Sequence, residues 1–210
     1  MSAVFLEEAQ FNSTHFKEHA NFGYTKFHQD TEFNGAVFDG FAHFHQSEFM
    51  QNGNFDSAHF STTLLFNTAK AKQLHFTNVN FSEIEFRLAK IDSCQFWQSK
   101  FINEIDFSCT IFNKVDYRRC QFHSYCNFTN TSFSEVDFSY SLFLKSAHFI
   151  ETKFIDIAYL NYVRFERPTE IIFQRMDLSK TSLVNTDISR INFGENIVAM
   201  MDLLSLIREG

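Results

Sequence analysis

Phenylalanine recurs along this chain every five or six residues, and few backbones can accept that spacing. The central residues run Phe5, Phe11, Phe16, Phe22, Phe27, Phe33, Phe38, Phe44, Phe49, Phe55, Phe60 and Phe66, with steps that alternate between six and five. Ala71 stands where the next Phe belongs. The series continues mostly in fives through Phe76, Phe81, Phe86, Ile91, Phe96 and Phe101. It then passes Phe107, Phe112, Tyr117, Phe122, Phe128, Phe133, Phe138, Phe143, Phe149, Phe154, Leu160 and Phe165, and ends with Phe173, Leu178, Leu183, Ile188 and Phe193. Of the thirty Phe, only Phe41 falls off the series. In a continuous strand an odd period would send successive Phe to opposite faces. In an α-helix five residues advance the chain by about 500°, which leaves successive Phe about 140° apart. The alternating N-terminal half has an 11-residue period that a right-handed coiled coil could use. That reading fails where the period falls to five after Phe66. What remains is a short extended segment and a tight turn at every central residue.

A second position confirms the period. Two residues before the central ones stand Ala3, Ala9, Thr14, Ala20, Thr25, Thr31, Ala36, Ala42, Ser47, Gly53 and Ala58, and later Cys94, Cys120, Cys126, Val136, Ala147, Ala158 and Val163. Across all thirty-six repeats no charged, amide or aromatic residue occupies that place. The intervening position is often charged or an amide, as at Asn21, Glu48, Asn80, Asp106 and Asp137. Two of every five residues therefore point inward and the rest face solvent, a binary pattern at a five-residue period.

Ala20-Asn21-Phe22, Val79-Asn80-Phe81, Val136-Asp137-Phe138 and Thr186-Asp187-Ile188 carry a resemblance to the pentapeptide-repeat proteins. It covers about residues 3 to 193, and the alternating stretch from Ala20 to Phe60 resembles a Phe-rich subclass. The resemblance implies an all-β fold, a right-handed quadrilateral parallel β-helix with four pentapeptide faces per coil. The residues support four faces independently. Every step longer than five begins at an odd-numbered central residue, so the insertions occupy two opposite corners of a square. Thirty-six faces make nine coils, about 43 Å of rod at the usual strand separation. Column four reads Phe22, Phe44, Phe66, Phe86, Phe107, Phe128, Phe149, Phe173 and Phe193, a continuous stack. Ala71 interrupts column one, and a locally loose core is expected there.

The array spans 1–193. Residues 194–210 read as a short C-terminal α-helix, because Ile197, Met200, Met201, Leu204 and Ile207 share one helical stripe, widened by Leu203 and Leu206. That segment is expected to cap the last coil. Its wide apolar face, and the C-terminal helices of similar family members, point to a homodimer contact as well. Candidate interface residues are Phe41, Ile197, Met200, Met201, Leu204 and Ile207. Phe165 to Phe173, with the chain's only Pro, reads as a small loop at an insertion corner.

Chemistry is sparse. No phosphate loop, GxSxG or HExxH motif occurs, and a packed rod offers no cleft, so no catalytic residue is assigned and no enzyme is expected. His15, His43, His59, His75 and His148 occupy outward positions too far apart for a metal site. Cys94, Cys109, Cys120 and Cys126 lack CxxC spacing; three sit at the small inward position and read as buried hydrophobes. No cofactor is expected. Met1 to Gln10 shows no basic-then-apolar signal, and no apolar run is long enough to span a bilayer, so a cytoplasmic protein without a membrane partner is expected. A net charge of -7 argues against direct nucleic-acid binding. The functional expectation is a non-enzymatic protein-binding scaffold of unknown partner. The resemblance implies an alternative: some pentapeptide-repeat proteins mimic a DNA duplex, bind type II topoisomerases such as DNA gyrase, and protect them from quinolones. Against it, the outward column Gln10, Glu32, Asn54, His75, Gln95, Asp116 and Asp137 is mixed rather than phosphate-like. The long insertion loops of plasmid-borne resistance members are also missing.

Overall fold

The computed structural model describes residues 3–194, and within them the chain is a four-sided parallel β-helix. On the first face Phe5 pairs with Phe27, and the register continues through Phe49, Ala71, Ile91, Phe112, Phe133 and Phe154. On the third face it runs Phe16, Phe38, Phe60, Phe81, Phe101, Phe122, Phe143 and Phe165. Each central residue thus lies beside the one four repeats later, which is the fourfold closure expected from the insertions. Faces one and two make an 11-stranded sheet, and faces three and four a 14-stranded sheet.

Both inward positions pack as the pattern requires. Every central residue from Phe27 to Phe154 is buried, and so is every residue two places before it. Exposure rises only in the end coils, where Phe5, Phe11, Phe16 and Phe22 are partly covered. Column four stacks as expected over most of its length. Phe44 and Phe66 lie 4.9 Å apart with 6° between planes, and Phe128 and Phe149 lie 4.8 Å apart at 10°. The stack tilts to 48° between Phe86 and Phe107, and turns edge-on at Phe149–Phe173. Offset stacking of this kind adds about 0.5–1.5 kcal/mol per pair beyond burial.

The corners are of two kinds, and the difference explains where insertions fall. After the central residues of faces two and four the chain makes a tight turn closed by an i-to-i+3 hydrogen bond, as from Ala69 N–H to Phe66 O at 3.0 Å. The second residue past the centre takes positive φ, between 54° and 62° from Ser13 to Tyr140, which defines a type II turn. Such a corner has no room for an extra residue. After faces one and three the strand either runs on through the corner, as in Glu48–Asn54 and His59–Leu65, or breaks at a bend, as between Lys100–Phe101 and Ile105–Asp106. Where the strand is continuous the ladder takes up a sixth residue as an irregularity, seen between Phe49 and Asn52, between Phe60 and Thr63 and between Phe154 and Ile157. The longest step, from Phe165 to Phe173, is filled by a single 3-10 turn at Pro168–Glu170.

Several hydroxyls among the small inward residues bind the preceding coil. Ser99, Thr110, Thr131, Ser141 and Thr152 each donate to a carbonyl one coil earlier: those of Phe76, Phe86, Phe107, Tyr117 and Phe128, at 2.5–2.8 Å. At Ala71 a groove of about 310 Å3 opens on face one, lined by Phe49, Met50, Lys72 and Lys90 among others. Ala71 itself stays buried. Of the helix expected over 194–210, all but Gly194 lies outside the described residues.

Candidate interaction surface

The interior is closed to chemistry. Cys94, Cys120 and Cys126 are buried thiols, and burial pushes their pKa values up. Cys120 donates its S–H to Phe96 O at 2.9 Å. Cys109 is exposed, because it occupies a turn position instead of an inward one. His15 pairs with Asp39 at 2.7 Å, and His148 accepts or donates a 3.1 Å hydrogen bond with the Tyr125 hydroxyl. Among the described residues no three His, Cys, Asp or Glu side chains gather as a metal would require.

Many surface carboxylates and amides serve the backbone. Asp106, Asp116, Asp137 and Asn127, each just before a central residue, accept from the N–H of the residue just after it: Ser108, Arg118, Ser139 and Thr129, at 2.8–3.1 Å. An Asp or Asn there pre-forms the turn. The recurrence of Asp and Asn before the central residue was the sequence signal for this role, and it reads at first as solvent exposure alone. Glu83, Glu85, Glu104 and Asp106 line a shallow groove of about 240 Å3 with Tyr125. Burial, then the charges of Asp106 and Glu104 with Cys126, raise the Tyr125 pKa. Arg87 faces this cluster, with Nε 3.5 Å from Asp106. Glu83 and Glu85 accept from Thr63 and Asn67.

Phe41, the one Phe outside the repeat, lies on the surface with 39% of its area exposed. Its ring stacks on His19 at 4.9 Å, and its N–H donates to His19 Nδ1 at 2.9 Å. Gly40 permits this close approach: a Cβ there would sit 2.8 Å from the carbonyl carbon of Glu18 and the backbone nitrogen of His19. Phe41 is thus held in an aromatic patch with His19 and His43. The other candidate interface residues, Ile197, Met200, Met201, Leu204 and Ile207, lie outside the described residues.

A second surface escapes the repeat pattern. At the turn after face two, Arg119, Tyr140 and Tyr162 occupy the positive-φ position in three successive coils. The tyrosine rings stack at 4.8 Å with 5° between planes, and the Arg119 guanidinium carbon lies 6.0 Å from the centroid of Tyr140. Gln98 holds the same position one coil earlier and Asn185 one coil later. Neighbouring Arg118 pairs with Asp116 at 2.6 Å and reaches Asp137 at 3.7 Å.

These features define the class: a β-helix of pentapeptide repeats, solid inside, with its polar and aromatic groups displayed in ladders. No family model matches the chain, and no curated protein does. Among solved structures it is similar to full-length QnrB1, a plasmid-mediated fluoroquinolone resistance protein, at 14% identity over 100% of this chain and 99% of that one, with a TM-score of 0.38. It is also similar to HetL, a pentapeptide-repeat protein involved in heterocyst differentiation regulation from the cyanobacterium Nostoc sp. strain PCC 7120. There the identity is 11% over 88% of this chain and 86% of that one, with a TM-score of 0.25. The assignment of the class rests on this chain's own register.

Proposed function

We propose that the chain is a non-enzymatic protein-binding scaffold, working in the cytoplasm. The observation that supports it is the filled interior: buried side chains occupy both inward positions of every coil from Phe27 to Phe154. Catalysis asks for a concave site where a few polar groups converge. The recesses of this rod are shallow, and one of them is bridged by the Arg175–Glu151 ion pair at 3.1 Å. A rigid rod with laddered faces suits binding to another protein. The test is affinity capture by the tagged full-length chain, with crosslinking to define the contact. A stoichiometric protein partner supports the scaffold. Failure to retain any protein above a charge-matched control sinks it.

The acidic groove of Glu83, Glu85, Glu104 and Asp106 favours a second reading, a DNA mimic that binds DNA gyrase and alters quinolone sensitivity. Its weakness is extent, since the cluster draws on only two adjacent coils and Arg87 faces it. A gyrase supercoiling assay, titrated with the protein with and without a fluoroquinolone, decides. Inhibition or drug relief at low micromolar protein supports the mimic, and no effect well above that removes it.

A further inference from the structure

We propose that the corner ridge carrying Arg119, Tyr140 and Tyr162 is the docking surface for an acidic protein segment. This rests on the scaffold reading and specifies where the partner sits and what chemistry it offers.

The fold does not ask for these side chains. The same corner carries Ser13, Gly35, Ser57, Asn78 and Gln98 in earlier coils and Asn185 in a later one. Positive φ favours Gly and Asn, so two tyrosines there are a choice made against local backbone preference. Nor does burial account for them. Tyr140 remains 57% exposed and Tyr162 46%, and adjacent Val184 is 55% exposed. The ridge therefore holds out two stacked tyrosine rings and their hydroxyls. Trp, Tyr and Arg are the residues that dominate binding energy at protein interfaces.

The charge pattern selects the occupant. Arg118 is satisfied by Asp116 and Asp137, whereas no carboxylate among the described residues lies within ion-pair distance of Arg119. Its guanidinium is held near Tyr140, so less conformational freedom is lost when an anion arrives. A guanidinium beside two exposed tyrosine rings matches a peptide segment that offers a carboxylate to Arg119 and apolar side chains to Tyr140 and Tyr162. A nucleic acid fits poorly. Holding a phosphate backbone takes a run of cations, whereas among the described residues this ridge offers one guanidinium without a carboxylate partner.

The experiment is selection of a displayed random peptide library on the full-length protein, followed by titration of the selected peptides against variants. The variants are Arg119→Glu and the pair Tyr140→Asn with Tyr162→Asn. Asn suits the backbone at both positions, and a thermal melt checks that each variant keeps the fold. The expected result is enrichment of Asp or Glu next to apolar residues, with binding reduced about tenfold or more by either variant. Selected peptides without acidic enrichment, or peptides that bind both folded variants as well as the parent, overturn the ridge. So does tighter binding of oligothymidine than of any selected peptide. A protein partner captured equally by the parent and by Arg119→Glu also overturns the ridge and leaves the scaffold standing, whereas failure to capture any protein sinks the scaffold itself.

Discussion

Tyr117 lies parallel to Phe138 in the core, with centroids 4.8 Å apart and 5° between the rings, and its buried hydroxyl has no hydrogen-bond partner among the described residues. Phe96 covers the other face at 5.0 Å and 2°. The phenol oxygen thus occupies a place built for a phenyl ring. A buried hydroxyl without a partner costs about 1–3 kcal/mol. Tyr117→Phe is expected to raise unfolding stability by about that amount, read as a shift of the urea midpoint at unchanged slope. A lowered midpoint would mean that the hydroxyl contributes to the core.

Alkali should loosen the rod before ordinary surface titration does. Burial raises the pKa values of Cys94, Cys120, Cys126 and Tyr117 in the folded chain. Unfolded thiols release their protons near 9.0. Above that pH the unfolded state therefore binds fewer protons than the folded one, and stability falls as pH rises. Each group contributes up to about 1.4 kcal/mol per pH unit. The stabilising contribution is fully present below pH 9, and urea midpoints should decline steadily above it. Replacing the three buried cysteines with Ala should flatten that decline. In the native protein a thiol reagent should modify Cys109 alone, and denaturation should release the other three.

Leu88 has φ of 59° with 59% of its surface exposed, so it bears backbone strain with little burial in return. The left-handed region costs a branched L-residue about 1–2 kcal/mol, and Asn tolerates it best after Gly. Leu88→Asn is expected to raise the melting temperature by a few degrees. A fall would show that Leu88 packs against something that outweighs the strain.

Gly40 has no space for a side chain, and its nearest neighbours are backbone atoms of Glu18 and His19. Gly40→Ala should force the two coils apart locally and cost about 1–3 kcal/mol, the usual range for overpacking. Phe41→Ser, which removes an exposed ring without touching the backbone, should cost far less. Equal losses in the two melts would contradict this account.

Much of this architecture is legible in the sequence because the core is filled by residue identity. Only a large apolar group fits at the central position, and only a small or aliphatic one two places earlier, so side-chain volume prints the five-residue period onto the chain. The long steps after odd-numbered central residues even mark the two corners that tolerate an extra residue. The turn conformation at the other two corners is less visible. Tyr24, Leu88, Arg119, Glu151 and Arg175 all adopt positive φ, where composition alone would ask for Gly or Asn. They do so because ladder hydrogen bonds fix the backbone on both sides, as between Arg119 N–H and Ser139 O at 3.1 Å and from Gln98 N–H to Arg118 O at 3.1 Å.

The candidate surfaces divide in the same way. Phe41 stands out in the sequence as the one Phe off the repeat, yet its partner His19, 22 residues back, becomes a neighbour only through coil stacking. Arg119, Tyr140 and Tyr162 look like three unrelated turn residues until closure of the coils brings them into one column. Spacing along the chain thus determined the period, the four sides and the inward-facing residues, because those follow from local packing repeated many times. Tertiary structure decided which outward residues meet, because contact between coils depends on how many residues each corner absorbs, and that sum is realised only when the coil closes.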